Sequence, residues 1–375
     1  MQPSLDLTGQ GACEREASGE GHKMALLDLT HSQLQELLLS WGEPGYRADQ
    51  LYKWLYASLV TDFTPMCNIP QGIRQQLEQV ASIRRLTPVQ EIASRDGLTR
   101  KVLFALPDGE TVESVLMLYD KRKSVCVSTQ VGCALGCAFC ATGQSGFTRN
   151  LTAGEIVEQV LHFARALKKE SQRVTNVVFM GMGEPFRNYE ATWQAVETLN
   201  DPRGCNLGAR RITISTVGIV PGIQRLSQET LQAGLAVSLH AAYDDLRDTL
   251  IPINRRYPLK ELITACQDYV ERTGRRVTFE YALVKGVNDS RQQAAQLARL
   301  LNGLLCHVNF IPLNPIPDSN WQASSNEQVQ IFHREIRSRG ISSTVRLRRG
   351  IEIEAGCGQL RSRDGGTTKP STCDP

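Results

Sequence analysis

The chain has 375 residues, with 42 lysines and arginines against 39 aspartates and glutamates, for a net charge of +3. That length allows one large core with a smaller companion, and the near balance of charge excludes a polycation that holds nucleic acid by bulk charge alone. No apolar run reaches the ~18 residues that span a bilayer and the N-terminus lacks a signal-peptide core, so a cytoplasmic protein that does not enter the membrane is expected.

Residues 1–23 are rich in Gly, Ser, Glu and Gln and read as a disordered tail, with Met24 open as an alternative start. From 24 to 88 the texture is helical: Leu34, Leu37, Leu38 and Trp41 recur at helical spacing, Gly42 to Gly45 break the run, and Leu51, Trp54 and Leu55 resume it. This predicts a small helical accessory domain. Its Tyr46, Arg47, Gln50, Tyr52 and Lys53 form either an ordinary polar face or a nucleic-acid contact. A β lead-in follows over 89–130, punctuated by the hairpin signals Asp96-Gly97 and Asp108-Gly109, with strands expected at 99–106, 110–118 and 124–130.

That last strand feeds a loop in which Cys133, Cys137 and Cys140 stand at C-x3-C-x2-C spacing. Converging thiolates are soft ligands that select zinc, copper(I) or an iron–sulfur centre. A structural zinc site wants a closed set of four, so a zinc knuckle would need a distant Cys or His. The next candidates are His162 and Cys205, neither at knuckle spacing. Three cysteines can instead hold a cubane with one iron left open to a small molecule. Gly132 and Gly136 suit a backbone that turns tightly beside anionic sulfurs. Eleven cysteines, an odd number without framework spacing, favour thiols and metal ligands over structural disulfides.

Beyond the loop, strands and helices alternate. Thr152 and Glu155 form a capping box ahead of a helix, strands are expected at 174–180, 211–215, 235–239, 277–283 and 307–312, and helices near 188–200, 220–232, 259–272, 289–302 and 325–339. With the cluster strand these make six β/α units over 124–350, an α/β fold of partial (β/α)6 barrel type whose site lies at the C-terminal strand ends. A strand near 343–347 precedes a Gly-flanked cysteine loop at 351–360 and a second polar tail at 361–375. The barrel reading gives meaning to Met180-Gly181-Met182-Gly183-Glu184-Pro185 at a strand end, where glycines free backbone groups for a ligand and a carboxylate can hold an ammonium group. Ser215, Ser238, His240 and Asn314 occupy similar positions. Local basic patches stand at 121–123, 210–211, 255–256 and 346–349, each an ordinary solvated face or an RNA contact.

Cys133, Cys137, Phe139 and Cys140 match the C-x3-C-φ-x-C signature of radical SAM enzymes. With Val112 to Leu116, Cys126, Gly181 to Pro185, Ser215-Thr216, Ser238 to Ala241, Asn314-Pro315 and Ala355 to Leu360, the chain resembles the RlmN-like rRNA and tRNA adenine C2-methyltransferases over most of its length. Gly356 stands where the family pattern has alanine, which predicts a slightly looser loop. The resemblance implies a radical SAM barrel, an RNA-binding accessory domain, and a [4Fe-4S] cluster on Cys133, Cys137 and Cys140. It implies SAM, two molecules per turnover, held by Gly183, Glu184, Ser215, Ser238, Leu239, His240 and Asn314. It further implies that Cys357 carries the methyl group, that Cys126 resolves the adduct through a transient disulfide, and that Glu113 takes the proton. Taken alone, Glu113 reads as a solvent-facing hairpin residue and Cys126 as a small buried hydrophobe. The implied substrates are an adenosine of 23S rRNA in the peptidyl transferase region and adenosine 37 of some tRNAs, with flavodoxin or ferredoxin as electron donor and a monomeric enzyme. Cfr-like C8 methylation is the alternative of the same class, and a zinc-stabilised RNA-binding protein without catalysis the alternative of another.

Overall fold

The computed structural model describes residues 23–314, 316, 321–346 and 349–361. The tails expected at 1–23 and 361–375 fall almost wholly outside these residues, as do Cys13, Cys373, Pro315, Leu347 and Arg348.

The N-terminal segment forms helices α1 (His31–Ser40), α2 (Tyr46–Lys53) and α3 (Gln71–Val80). α1 opens on a capping box: the Thr30 side chain accepts from the Gln33 N–H while the Gln33 side chain accepts from the Thr30 N–H. α2 runs on through a wider π turn, Trp54–Ser58, and stops at Leu59 with a φ of 66°. The helical spacing read in the sequence is the spacing that buries Leu34, Leu38, Leu51, Leu55, Ile73 and Leu77. Asp28 ties this module to the barrel, its Oδ1 accepting from the Gly154 N–H at 2.7 Å.

One ten-stranded sheet dominates the rest. β1 (Thr87–Ala93), β2 (Thr99–Ala105), β3 (Thr111–Tyr119) and β4 (Arg122–Cys126) form an antiparallel meander. The two Asp-Gly turns join β1 to β2 and β2 to β3, with Gly97 and Gly109 at φ of 68° and 86°. β1 adds a fourth strand to the three expected. β5 (Asn176–Phe179), β6 (Ile212–Thr216), β7 (Gly234–Ser238), β8 (Val277–Leu283), β9 (Cys306–Pro312) and β10 (Ser343–Val345) then follow in order, each parallel to its predecessor, and β5 is parallel to β4. The expected six-stranded barrel wall is therefore present, and β10 extends it by a seventh parallel strand.

The strand expected over 124–130 is divided. β4 ends at Cys126, and Gln130–Gly132 pairs antiparallel with Phe147–Asn150. The cause is the next strand end: Val127 N–H donates to Val178 O, Gly181 N–H to Val127 O and Thr129 N–H to Met182 O, so the backbone follows residues 180–182 away from β3.

Helices α4 (Ala153–Lys169), α5 (Tyr189–Asn200), α6 (Val220–Leu226), α7 (Asp244–Leu250), α8 (Leu259–Thr273), α9 (Arg291–Leu300) and α10 (Asn326–Ser338) carry the crossovers. Thr152 and Glu155 form the expected capping box on α4. The helix expected over 220–232 stops at Leu226, because Leu231 and Ala233 belong to the turn into β7. α7 was not expected from the sequence. Phe179, Ile214, Val237, Phe279 and Phe310 of the parallel strands are buried and make the core, leaving one end of the barrel for polar chemistry.

Candidate active site

A cavity of about 970 Å³, counting its open mouth, lies at the C-terminal ends of the parallel strands. Its wall takes Gly181, Gly183 and Glu184 after β5, Ser215 and Thr216 from β6, Ser238 and His240 at β7, Glu280 and Ala282 from β8, Asn314 after β9 and Arg346 after β10. Cys137, Phe139 and Cys140 of the cysteine loop and Cys357 of the C-terminal loop complete it. Of the residues implied as SAM contacts, Leu239 stays off the wall, buried with its carbonyl accepting from Arg247 Nε at 3.1 Å, and of the implied cluster ligands Cys133 does too.

The cysteine loop is shaped by glycine. Gly132 has a φ of 72°, and any side chain there would strike the Gly146 carbonyl, which accepts from Cys133 N–H at 2.6 Å. Burial raises the thiol of Cys133 to about 11 and that of Cys137 well above its usual value, and each is raised further by the charge of neighbouring cysteines. Among the described residues, no three His, Cys, Asp or Glu side chains converge as a set for one metal ion. Soft thiols on one short loop, with Cys137 and Cys140 on the cavity wall, fit an iron–sulfur centre, which Cys133, Cys137 and Cys140 would hold.

Glu184 is set by a buried polar frame. Gly183, at a φ of 95°, lies so close to Gln130 that a Cβ would come within 2.5 Å of its side chain. Gln130 Oε1 accepts the Glu184 N–H at 2.8 Å. The carboxylate accepts from Phe186 N–H at 3.1 Å and Val217 N–H at 2.9 Å. Burial nevertheless outweighs these bonds and lifts Glu184 to about 7.

His240 adopts a φ of 57° and its Nδ1 accepts from the Ala282 N–H at 2.8 Å. That bond leaves Nε2 as the protonated nitrogen. Burial, then the charge of Arg247, lowers the ring to about 3, so it stays neutral throughout the physiological range. Arg247 itself had no signal in the sequence. It is fully buried and donates to Leu239 O, Ser238 O, Val217 O and Asn254 Oδ1, bracing two strand ends of the site. Arg247→Met leaves these acceptors unpaired, and we expect a loss of about 3 kcal/mol or more, read as a shift of the urea midpoint.

Cys357 lies on the exposed cavity wall, with its carbonyl accepting from Asn314 Nδ2 at 3.1 Å. Gly358 O accepts from Ala141 N–H at 2.8 Å, which docks this loop on the cysteine loop. Burial of the sulfur by surrounding atoms pushes the thiol up, and the Arg346 guanidinium pulls it back from 3.9 Å. Arg346 also pairs with Glu280 at 3.5 Å, whose other oxygen accepts from Asn309 Nδ2. The looser loop expected from Gly356 is not found: a Cβ there would lie 2.5 Å from Asn314 Nδ2 and 2.7 Å from Gln359 Oε1, so side chains already fill the space.

Cys126 ends β4, buried and off the cavity wall. Burial first and the charge of Cys357 second raise its thiol to about 12. All nine described cysteines are free thiols. Glu113, the expected solvent-facing residue, is instead buried in β3, where Lys101 and the C-terminal segment at Arg361 cover its face of the sheet. Its Oε1 pairs with buried Lys101 Nζ at 2.9 Å and its Oε2 accepts from Arg361 N–H at 3.1 Å. Lys101 also donates to Glu354 O, so the pair fastens the loop that carries Cys357.

Two family models match: the radical SAM superfamily at residues 127–298 and the ribosomal RNA large subunit methyltransferase N-terminal domain at 24–83. A protein of Roseiflexus castenholzii named probable dual-specificity RNA methyltransferase RlmN is 47% identical over 379 residues, covering 89% of this chain and 95% of its own. One of the same name from Chloroflexus aurantiacus is 51% identical over 350 residues, covering 90% and 93%. The chain belongs to the RlmN family of radical SAM methyltransferases. The crystal structure of a radical SAM methyltransferase from Sphaerobacter thermophilus is 55% identical with a TM-score of 0.89, covering 90% of this chain and 99% of that one. The RlmN N-terminal match ends just after α3, and the radical SAM match begins one residue past β4, where the chain turns toward the cysteine loop.

Proposed function

We propose that this protein methylates C2 of an adenosine in 23S rRNA and adenosine 37 of some tRNAs, passing the carbon through Cys357. The observation that supports the reading is that two distant segments, the cysteine loop and the C-terminal loop with Cys357, dock on each other and share one cavity wall. C2 of adenine has a hydrogen and no lone pair, so it cannot take a methyl group from a sulfonium by simple displacement. The Cys357 thiolate can, being a strong nucleophile, and Arg346 beside it favours that charged form. When bound, a [4Fe-4S] cluster on Cys133, Cys137 and Cys140 with SAM at its open iron supplies hydrogen-atom abstraction from an unactivated methyl group.

This chain's residues do the rest. Glu184 receives the ammonium group of SAM, with Gly183, Ser215, Ser238, His240 and Asn314 shaping the pocket and Leu239 holding the strand end behind it. Glu113 takes the C2 proton once the C-terminal loop that now covers it has moved, while the unpaired electron left on the adduct passes back to the electron carrier. The Cys126 thiolate then attacks the Cys357 sulfur, the bond from that sulfur to carbon breaks with its electron pair on carbon, and a proton completes the methyl group. An external thiol reduces the resulting disulfide before the next turnover. Two SAM molecules are consumed, flavodoxin or ferredoxin provides the electron, and the chain works as a monomer in the cytoplasm. No helix among the described residues is long and apolar enough to cross a membrane.

Glu184 gives a pH test. At about 7 its carboxyl is protonated more often than an ordinary glutamate, and only the ionised form attracts an ammonium group. We expect SAM affinity to be level above pH 7 and to fall about tenfold per unit below it, with one proton released per SAM bound. Glu184→Gln should remove that dependence. Mass spectrometry of nucleosides from RNA treated with the protein tests the product: 2-methyladenosine supports the reading, 8-methyladenosine would move the reaction to C8, and unmodified RNA would refute it.

A further inference from the structure

Two basic patches read separately in the sequence meet at the far end of the barrel. Lys121 stands just before β4, Arg173 shortly before β5 and Arg211 immediately before β6, so these cations gather at the N-terminal ends of three adjacent parallel strands. With Lys168 of α4 they line a cavity of about 1420 Å³, counting its open part, whose other wall is Tyr56, Ala57 and Leu59 of the helical module. Lys168 joins the two walls, Nζ donating to Ala57 O at 3.1 Å and Ser58 O at 3.2 Å. The other three cations are exposed, and their side chains make no hydrogen bond or ion pair with any described residue.

No carboxylate lines this cavity. In a chain with 42 basic and 39 acidic residues, an ordinary solvated surface would mix the two signs. Here four like charges face one concave space, where their fields add and attract a polyanion. The space greatly exceeds a single phosphate, and its cations sit on long stems from four separate segments, an arrangement suited to successive phosphates of a strand. We propose that this cavity grips the phosphodiester backbone of the RNA substrate at a point remote from the reacting base. The proposal rests on RNA being the substrate, as argued above. Strands of four to five residues separate the cavity from the active site, roughly 15 Å at 3.3 Å per residue, a distance that a folded RNA spans.

The test compares the wild-type holoenzyme with the triple variant Lys121→Gln, Arg173→Gln, Arg211→Gln, using an unmodified tRNA transcript as probe. Each lost phosphate contact lowers the slope of log affinity against log salt by about 0.7 to 0.9. We expect the slope to fall by about 2, KM for RNA to rise by an order of magnitude, and kcat to stay within twofold because the reacting groups are untouched. The triple Arg/Lys exchange Lys121→Arg, Arg173→Lys, Arg211→Lys, which keeps the charge, should restore the slope. An unchanged slope and KM in the glutamine variant, with wild-type iron content and circular dichroism, would overturn the assignment, as would loss of inorganic phosphate binding with RNA binding intact. If the wild-type enzyme neither binds nor methylates the transcript, the RNA reading itself fails, and this proposal with it.

Discussion

For Cys357→Ala we expect methylation of RNA to fall by several orders of magnitude, to below detection, while SAM binding and iron content stay at wild-type levels. The residue lies on the cavity wall, so the space its sulfur leaves opens to the cavity, and the loop keeps its anchors through Asn314 and Ala141. A structural role would predict a destabilised but partly active protein. A carrier role predicts a stable and inactive one, and Cys357→Ser should be equally inactive because a hydroxyl is far less ionised than a thiol at neutral pH. Urea unfolding alongside a methyl-transfer assay separates these outcomes.

Cys126→Ala is expected to trap the enzyme on its RNA. With no second thiol to attack the Cys357 sulfur, the carbon bridge between protein and base persists, and we expect a band that survives denaturation and disappears on ribonuclease treatment. Free, fully methylated RNA in amounts exceeding the enzyme would exclude the assigned role. The environment of Cys126 adds a kinetic signature. Burial and the neighbouring Cys357 hold its thiol near 12, so the thiolate is scarce at neutral pH and its population grows about tenfold per pH unit. In single-turnover experiments with the wild-type protein, RNA release should accelerate between pH 7 and 9, while formation of the adduct should not follow that trend.

The features legible in the sequence are those fixed by local spacing. The two Asp-Gly turns and the capping box at Thr152 each lie within one short segment and appear where expected, and the alternation of strands and helices holds in order though not at every boundary. What escaped depends on partners far apart in sequence. Arg247 looks like a surface residue of an acidic stretch, yet its guanidinium is consumed by carbonyls of β6 and β7 ends. Lys101 and Glu113 look like hairpin surface charges, and only the pairing of β2 with β3 reveals that they share one buried site. Arg346 stands in a run of basic residues, but the register of β10 on β9 turns it toward Glu280 and Cys357. The division of strand 124–130 is of the same kind, since a distant strand end at 180–182 draws the backbone aside.

The central claim is that the transferred carbon rests on Cys357 before it reaches the base. The direct measurement is a pulse with SAM bearing a trideuterated methyl group and no RNA, followed by RNA with unlabelled SAM and reductant, and mass spectrometry of both the Cys357 peptide and the product nucleoside. The account predicts a trideuteromethyl group on Cys357 after the pulse and, in the first product formed, a methyl group retaining two deuterium atoms, because one is removed before the carbon is passed on. An unlabelled Cys357, or a product methyl group carrying all three, would contradict it.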